Sequence, residues 1–212
     1  MAFTWETVRA QFWNLPLLAT EEKCRGGTYI VTGANVGLGY EAAKHLVGAG
    51  AKKVIMGVRD LKTGEAAKTE IEAATKTQDI AEVWKLDLSS YEDVRAFAKR
   101  AISELERIDA LIENASTALS LPHQWALKEG HESSLTINVL GTFLLATLLL
   151  PKMMEDAKKF KILPHIAVVT SGAAFVSKAE YDQIKEDPIA KLDDEEAPGM
   201  TNRYAVDIYT SV

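Results

Sequence analysis

The sequence contains a single cysteine, Cys24, in 212 residues, so it forms no internal disulfide and offers no cysteine cluster for a metal. A reducing compartment is the default for such usage, and the expectation is a cytoplasmic protein. Excess positive charge is also missing: 24 Lys+Arg against 30 Asp+Glu leave a net charge of -6. The two signs are interspersed except at residues 193–196 (D-D-E-E), which argues against nucleic acid or an anionic membrane as the main partner. Long apolar runs are absent as well. The longest, residues 139–150, is about a dozen residues and stops at Pro151, whereas a bilayer needs roughly 20. It reads as a buried helix, and no transmembrane segment is expected. The N-terminus lacks the unbroken apolar region of a signal peptide, because Glu6 and Arg9 interrupt Phe3, Trp5, Val8, Phe12 and Trp13. Those aromatics suit an arm packed on the domain or an amphipathic helix resting on a membrane surface. No internal repeat or low-complexity tract is present.

What is present is an alternation of two periodicities. After an arm at residues 1–25, one domain is expected over residues 26–212. Residues 28–32 (T-Y-I-V-T) have the β-branched and aromatic content of a buried strand, and residues 36–47 place Leu38, Ala42, Leu46 and Val47 at helical spacing. Strands follow at 53–57, 82–86, 110–112 and 166–170. Between them lie a polar helix at 61–75 and a helix capped by Ser89 or Ser90, with Val94, Phe97, Ala98, Ala101, Ile102 and Leu105 as its apolar stripe. The long apolar helix through Leu150 completes the set. Strands alternating with helices imply an α/β fold with a doubly wound parallel sheet in three α/β/α layers.

The organising stretch is residues 32–39, T-G-A-N-V-G-L-G, a glycine-rich turn from strand to helix. Gly33, Gly37 and Gly39 permit a tight bend, close approach of a ligand to bare backbone, and close packing of helix on strand. Free N–H groups and the positive end of a helix dipole suit a phosphate. The spacing is G-x-x-x-G-x-G rather than G-x-G-x-x-G, so a purely structural turn is the alternative. In doubly wound sheets ligands lie beyond the carboxyl ends of the strands. Thr32, Asp87, Asn114 and Ser171 stand at those ends, although each residue type is also common in ordinary turns.

Several ordered motifs over roughly residues 26–206 resemble the short-chain dehydrogenase/reductase family, in particular its retinol-dehydrogenase-like branch and reductases of fungal biosynthetic pathways. Gly33, Asn35, Val36, Gly37, Leu38 and Gly39 fall in a stretch similar to the family's T-G-x-x-x-G-x-G coenzyme loop. Asp87-Leu88 resembles its adenine-contacting acidic pair. Asn114-Ala115-Ser116 is similar to its N-A-G, with Ser116 where the family has glycine. Asn138 in I-N-V-L-G-T-F resembles the relay asparagine, Ser171 the serine that orients a carbonyl, and Tyr204 the acid/base tyrosine that also contacts coenzyme. The resemblance implies a Rossmann fold, a nicotinamide dinucleotide and a small or lipid-like alcohol or carbonyl substrate, with secondary metabolism as the setting.

Hydride transfer to a carbonyl carbon needs a proton donor and a hydrogen-bond donor on the oxygen, roles that tyrosine and serine fill. An acidic residue closing the second strand would bind a ribose 2'-hydroxyl. Here Val58 and Arg59 follow Gly57, and Arg59, with Lys62 as a second cation, favours the 2'-phosphate of NADP (NADPH) over NAD. Asp60 works against that preference.

The resemblance breaks near the end. The family's Y-x-x-x-K lysine, which lowers the tyrosine pKa, corresponds to Ile208, and no lysine follows Lys191. Arg203, beside Tyr204, points about 100° away on a helix. Family members continue through further strands and helices that often form a homo-oligomer interface, so a truncated chain with its C-terminal part missing is expected. Residues 193–196 read as a solvated loop or a substrate lid. An alcohol/ketone oxidoreductase, a non-catalytic dinucleotide-binding relative and an inactive fragment all stay open.

Overall fold

The computed structural model describes residues 9, 12, 13, 16–117, 126–171 and 178–194. The first strand, β1 (Thr28–Thr32), is buried along its whole length, as a strand covered on both faces must be. It leads into α1 (Gly37–Gly48), then β2 (Lys53–Val58), α2 (Leu61–Thr75), β3 (Ala81–Lys85), α3 (Tyr91–Glu104) and β4 (Ala110–Glu113). A small antiparallel hairpin, β5 (Leu127–Lys128) and β6 (His131–Glu132), precedes one long helix, α4 (Ser133–Phe160). The edge strand β7 (His165–Val168) and two short helices, α5 (Lys178–Ile184) and α6 (Pro188–Leu192), complete the described chain.

The main sheet is parallel with strand order β3-β2-β1-β4-β7. Chain order reverses on either side of β1, so the switch point lies between β1 and β4, where such sheets open a crevice. Alternation of side chains along the strands separates two cores. Ile30, Ile55 and Leu111 face Val94, Phe97, Leu145, Leu149 and Met153 of α3 and α4. Val31, Val54 and Met56 face Ala43, Leu46, Val47 and Ile71 of α1 and α2. This is the expected three-layer α/β/α arrangement.

Four expectations need correction. The long apolar helix does not stop at Pro151 but runs through it to Phe160. Pro151 is exposed, so the one backbone hydrogen bond its ring removes, to the Thr147 carbonyl, is lost on the solvent side. At 28 residues, α4 is long and apolar enough by length and composition to cross a bilayer, but 61% of its most apolar window is buried inside the domain. It serves as a core helix under the sheet. In α3, Ile102 lies off the buried stripe and is half exposed, whereas the expected serine cap is present as Ser90, which accepts the Asp93 amide. Of the arm, Phe3, Trp5 and Val8 lie outside the described residues, while Phe12 and Trp13, with Leu17 and Leu18, are exposed, against the packed alternative for those positions. Contact with the domain is made nearer Cys24, which is buried, and through the Ala19 carbonyl, 2.6 Å from His45 Nε2.

Candidate functional site

The carboxyl ends of β1 and β4 are locked together by Thr32. Its hydroxyl oxygen accepts the amides of Asn114 and Ala115, each at 2.9 Å. With both lone pairs engaged, the hydroxyl hydrogen is directed to Oε2 of Glu113, 3.4 Å away. Asn114 returns the link by donating from Nδ2 to the Thr32 carbonyl at 3.1 Å. Thr32→Val keeps the shape but leaves two amides and a carboxyl without their partner. A loss of about 3 kcal/mol is expected, read as a lower urea midpoint at unchanged slope. Thr32→Ser, which keeps the oxygen, should lose less than about 1 kcal/mol.

The loop after Thr32 is shaped by glycine. Gly33 leaves β1 at φ +65° and Gly37 begins α1 at φ +60°, in the left-handed region open to glycine. The Gly33 amide donates to the Gly57 carbonyl at 2.8 Å, tying the loop to β2. A Cβ on Gly39 would meet the Gly33 carbonyl oxygen at 2.4 Å and Asn114 Nδ2 at 2.5 Å, so the close approach itself demands glycine there. Val36, the N-cap of α1, supplies no side-chain acceptor to the first turn. Those amides remain available to an anion, favoured by the helix dipole.

Over this loop opens a cavity of about 570 Å³ at the switch point, lined by Gly33, Asn35 and Val36, by Arg59 beyond β2, and by Asp87 beyond β3. Asn35 is oriented by donating from Nδ2 to Thr63 Oγ1 at 3.2 Å. Asp60 also lines the cavity, but its Oδ1 caps α2 by accepting the amides of Lys62 at 2.8 Å and Thr63 at 3.1 Å. Asp87 Oδ1 accepts the amide and hydroxyl of Ser89 at 2.9 and 2.7 Å. Burial acts to raise its pKa, but those donors and the charges of Lys85 and Arg59 win and hold it below the ordinary carboxylate value. Because both bonds end on Oδ1, Oδ2 is left out of them.

A second cavity, about 300 Å³, shares Asn114, Ala115 and Ser116 with the first and continues to Leu38, Glu113, Asn138, Thr142 and the end of β7. Asn138 sits in a stretch of α4, Thr136–Gly141, wound as a π-helix, a local widening common at functional sites. Its amide clamps Thr117, accepting that residue's N–H at 2.8 Å and donating to its carbonyl at 3.0 Å. Glu113 is 2% exposed, and its Oε1 is buried with no hydrogen-bond partner. Burial pushes its carboxyl up to about 8, against the opposing pull of the Thr32 hydrogen bond.

The structure thus gathers Gly33, Asn35, Val36, Arg59, Asp87 and Asn114 round the first cavity and Leu38 and Asn138 round the second. Leu38 is 75% exposed rather than on the core face of α1, because the helix begins at Gly37 and turns its first residues outward. Lys62 contributes a backbone amide to the Asp60 cap and its exposed side chain does not line the cavity. Ser116 adopts no positive φ, so the backbone there does not need glycine. Ser171 is half-buried just past Thr170, the last described residue lining the second cavity. Gly172, residues 195–196, Arg203, Tyr204 and Ile208 lie outside the described residues. Sequence reasoning missed Thr63, Glu113 and Thr142. Among the described residues no group of His, Cys, Asp or Glu is placed to hold a metal ion.

Residues 28–182 match the family model described as short chain dehydrogenase. A short chain dehydrogenase/reductase of Cryptosporiopsis sp., dmxR8, is 48% identical over 147 residues, which is 69% of this chain and 44% of that protein. The short chain dehydrogenase atnD of Emericella nidulans is 38% identical over 194 residues, covering 87% of this chain and 60% of its own length. The chain therefore spans about half the length of these relatives. Among solved structures, a short-chain dehydrogenase from Novosphingobium aromaticivorans superposes with a TM-score of 0.66 at 21% identity, covering 89% of this chain and 60% of that one. The Pseudomonas aeruginosa RhlG/NADP active-site complex does so with a TM-score of 0.60 at 25% identity, covering 71% of this chain and 56% of the other.

Proposed function

The chain belongs to the short-chain dehydrogenase family, and from that premise we propose that it is the coenzyme-binding domain of an NADP-dependent oxidoreductase interconverting an alcohol and a ketone or aldehyde. The observation that carries the coenzyme reading is the first cavity. The residues present fit a dinucleotide. Uncapped amides of α1 suit its pyrophosphate, Asp87 Oδ2 suits its adenine end, and Asn114 holds the loop in place.

The preference for NADP rests on Arg59. It lines the cavity beyond β2, and the neighbouring Asp60 has Oδ1 committed to capping α2, so the guanidinium is the charge that a 2'-phosphate would meet. Arg59→Asp should weaken NADPH by about 30-fold or more, since a charge-assisted contact contributes about 2 kcal/mol and repulsion adds to its loss. NADH should change by less than about threefold. Fluorescence titration of both coenzymes measures this, and an equal loss for the two would defeat the 2'-phosphate assignment.

When bound, the coenzyme supplies or accepts hydride at its nicotinamide. Tyr204 serves as the acid/base on the substrate oxygen, Ser171 orients that oxygen, and Asn138 holds the segment at Thr117. A second reading is a non-catalytic dinucleotide-binding protein, favoured by Ile208 four residues after Tyr204. Coenzyme binding with no turnover of any of a panel of aldehydes and ketones would select it over the first.

A further inference from the structure

Glu113 stands apart from everything the coenzyme loop requires. Its Oε2 receives the Thr32 hydroxyl hydrogen, its Oε1 is buried without a partner, and its side chain is enclosed. A buried carboxyl with one oxygen unpartnered is a cost that calls for an explanation, and the Thr32 hydroxyl compensates only the other oxygen. Glu113 lines the second cavity.

The groups facing that space come from every neighbouring element: Leu38 from α1, Asn138 and Thr142 from α4, Val168 to Thr170 from the end of β7, and Asn114 to Ser116 after β4. Thr32 of β1 meets Glu113 directly. Among the described residues none of these carries a charge or titrates near neutrality. Among the described residues Glu113 is thus the one ionisable side chain in the walls, and because its carboxyl is enclosed it would act on a cation in the cavity through space rather than by contact. Apart from Glu113 the described walls are uncharged, and the apolar side chains of Leu38, Val168 and Val169 mix with the amide and hydroxyl groups of Asn114, Asn138 and Thr142, which suits a flat ring bearing a polar substituent better than a metal or an ammonium. Continuity with the first cavity through Asn114 to Ser116 makes the nicotinamide end of a dinucleotide the ligand that fits.

We propose that Glu113 discriminates between the oxidation states of the coenzyme. It is a neutral acid in the free protein, releases its proton to solvent when the positively charged oxidised ring occupies the second cavity, and keeps it when the uncharged reduced ring does. This rests on the coenzyme reading above. The carboxyl, already pushed up to about 8 by burial, falls in the complex with the cation. Affinity for NADP+ then rises with pH between the lowered value and about 8, about tenfold for each pH unit by which the ring lowers it. Affinity for NADPH has no such dependence on Glu113. The 2'-phosphate, common to both coenzymes, cancels in the comparison.

Calorimetric titrations of the wild-type chain with NADP+ and with NADPH, near pH 7.5 in two buffers of different ionisation enthalpy, count the protons released. The expected result is about half a proton or more in excess for NADP+, together with a Kd ratio that moves about tenfold between pH 6.5 and 8.5. In E113Q the excess disappears and the ratio is flat. Equal proton release for the two coenzymes in the wild type, or an excess that persists in E113Q, overturns the proposal while leaving the coenzyme reading intact. Should E113Q fold poorly, the wild-type comparison decides alone. Failure of both coenzymes to bind defeats the coenzyme reading, and the proposal with it.

Discussion

Glutamine at position 113 is expected to stabilise the free protein, by something on the order of 3 kcal/mol at pH 7, with the gain disappearing below about pH 5. The sign follows from the direction of the shift. In the unfolded chain Glu113 ionises near its ordinary value of 4.5, whereas in the fold it holds its proton up to about 8. Stability associated with this group is therefore complete below about pH 4.5 and is progressively lost as pH rises toward 8, because the unfolded state alone gains by ionising. Glutamine has nearly the same shape and nothing to ionise, so it removes that slope. At 2% exposure there is little solvent screening to soften the effect. Chemical denaturation of both proteins at pH 5 and pH 7 measures it. A stability difference between variant and wild type that does not grow from pH 5 to pH 7 would show that the buried carboxyl is not held neutral, whatever constant cost the unpaired amide adds.

Gly39→Ala should act in the opposite direction and mainly on binding. The added carbon would lie 2.4 Å from the Gly33 carbonyl oxygen and 2.5 Å from Asn114 Nδ2. The first is backbone and the second is fixed by its bond to the Thr32 carbonyl, so the loop itself must move. Overpacking of this kind costs about 1–3 kcal/mol, and because the displaced atoms carry the amides that would meet pyrophosphate, that strain becomes roughly a 10- to 100-fold loss of coenzyme affinity. Gly37 provides the internal comparison. A Cβ there meets nothing within 4 Å, although φ is +60°, so Gly37→Ala adds only the left-handed backbone penalty of about 1–2 kcal/mol. Coenzyme titration of the two variants, with near-ultraviolet circular dichroism to confirm folding, separates steric clash from backbone strain. Comparable affinity in the wild type and Gly39→Ala would refute the close approach.

Much of this architecture is legible in the sequence because the signals are local. The β-branched run at Thr28–Thr32 and the glycines after it specify strand, turn and helix within a dozen or so residues, and Asp87, Asn114 and Arg59 stand where strands end. What was not legible depends on pairs distant in the chain. Glu113 looks like one more polar residue ending a short strand; only the Thr32 hydroxyl, 81 positions away, and its 2% exposure in the fold show that it is enclosed. Lys62 reads on paper as a second cation beside Arg59, and the Asp60 cap, which starts α2 at Leu61, leaves only Arg59 lining the cavity. Pro151 reads as a stop until its ring is seen on the solvent side of α4. Leu38 has the right spacing for a core residue but falls in a first turn that faces a ligand space instead.

The π-wound stretch of α4 has a consequence for how this helix tolerates change in length. It accommodates one residue more than an ordinary α-helical turn would, so the surplus is taken up locally and the helix beyond keeps its rotational phase. Removing a single residue between Thr136 and Gly141 would restore regular winding and leave the following segment where it is, whereas the same deletion in the regular winding just after it would swing everything beyond by about 100°. Leu145, Leu149 and Met153, which now seal the underside of the sheet, would hold their places in the first case and turn sideways together in the second. The widened turn is thus slack in one rod, and a deletion inside it should be borne far better than one a turn later.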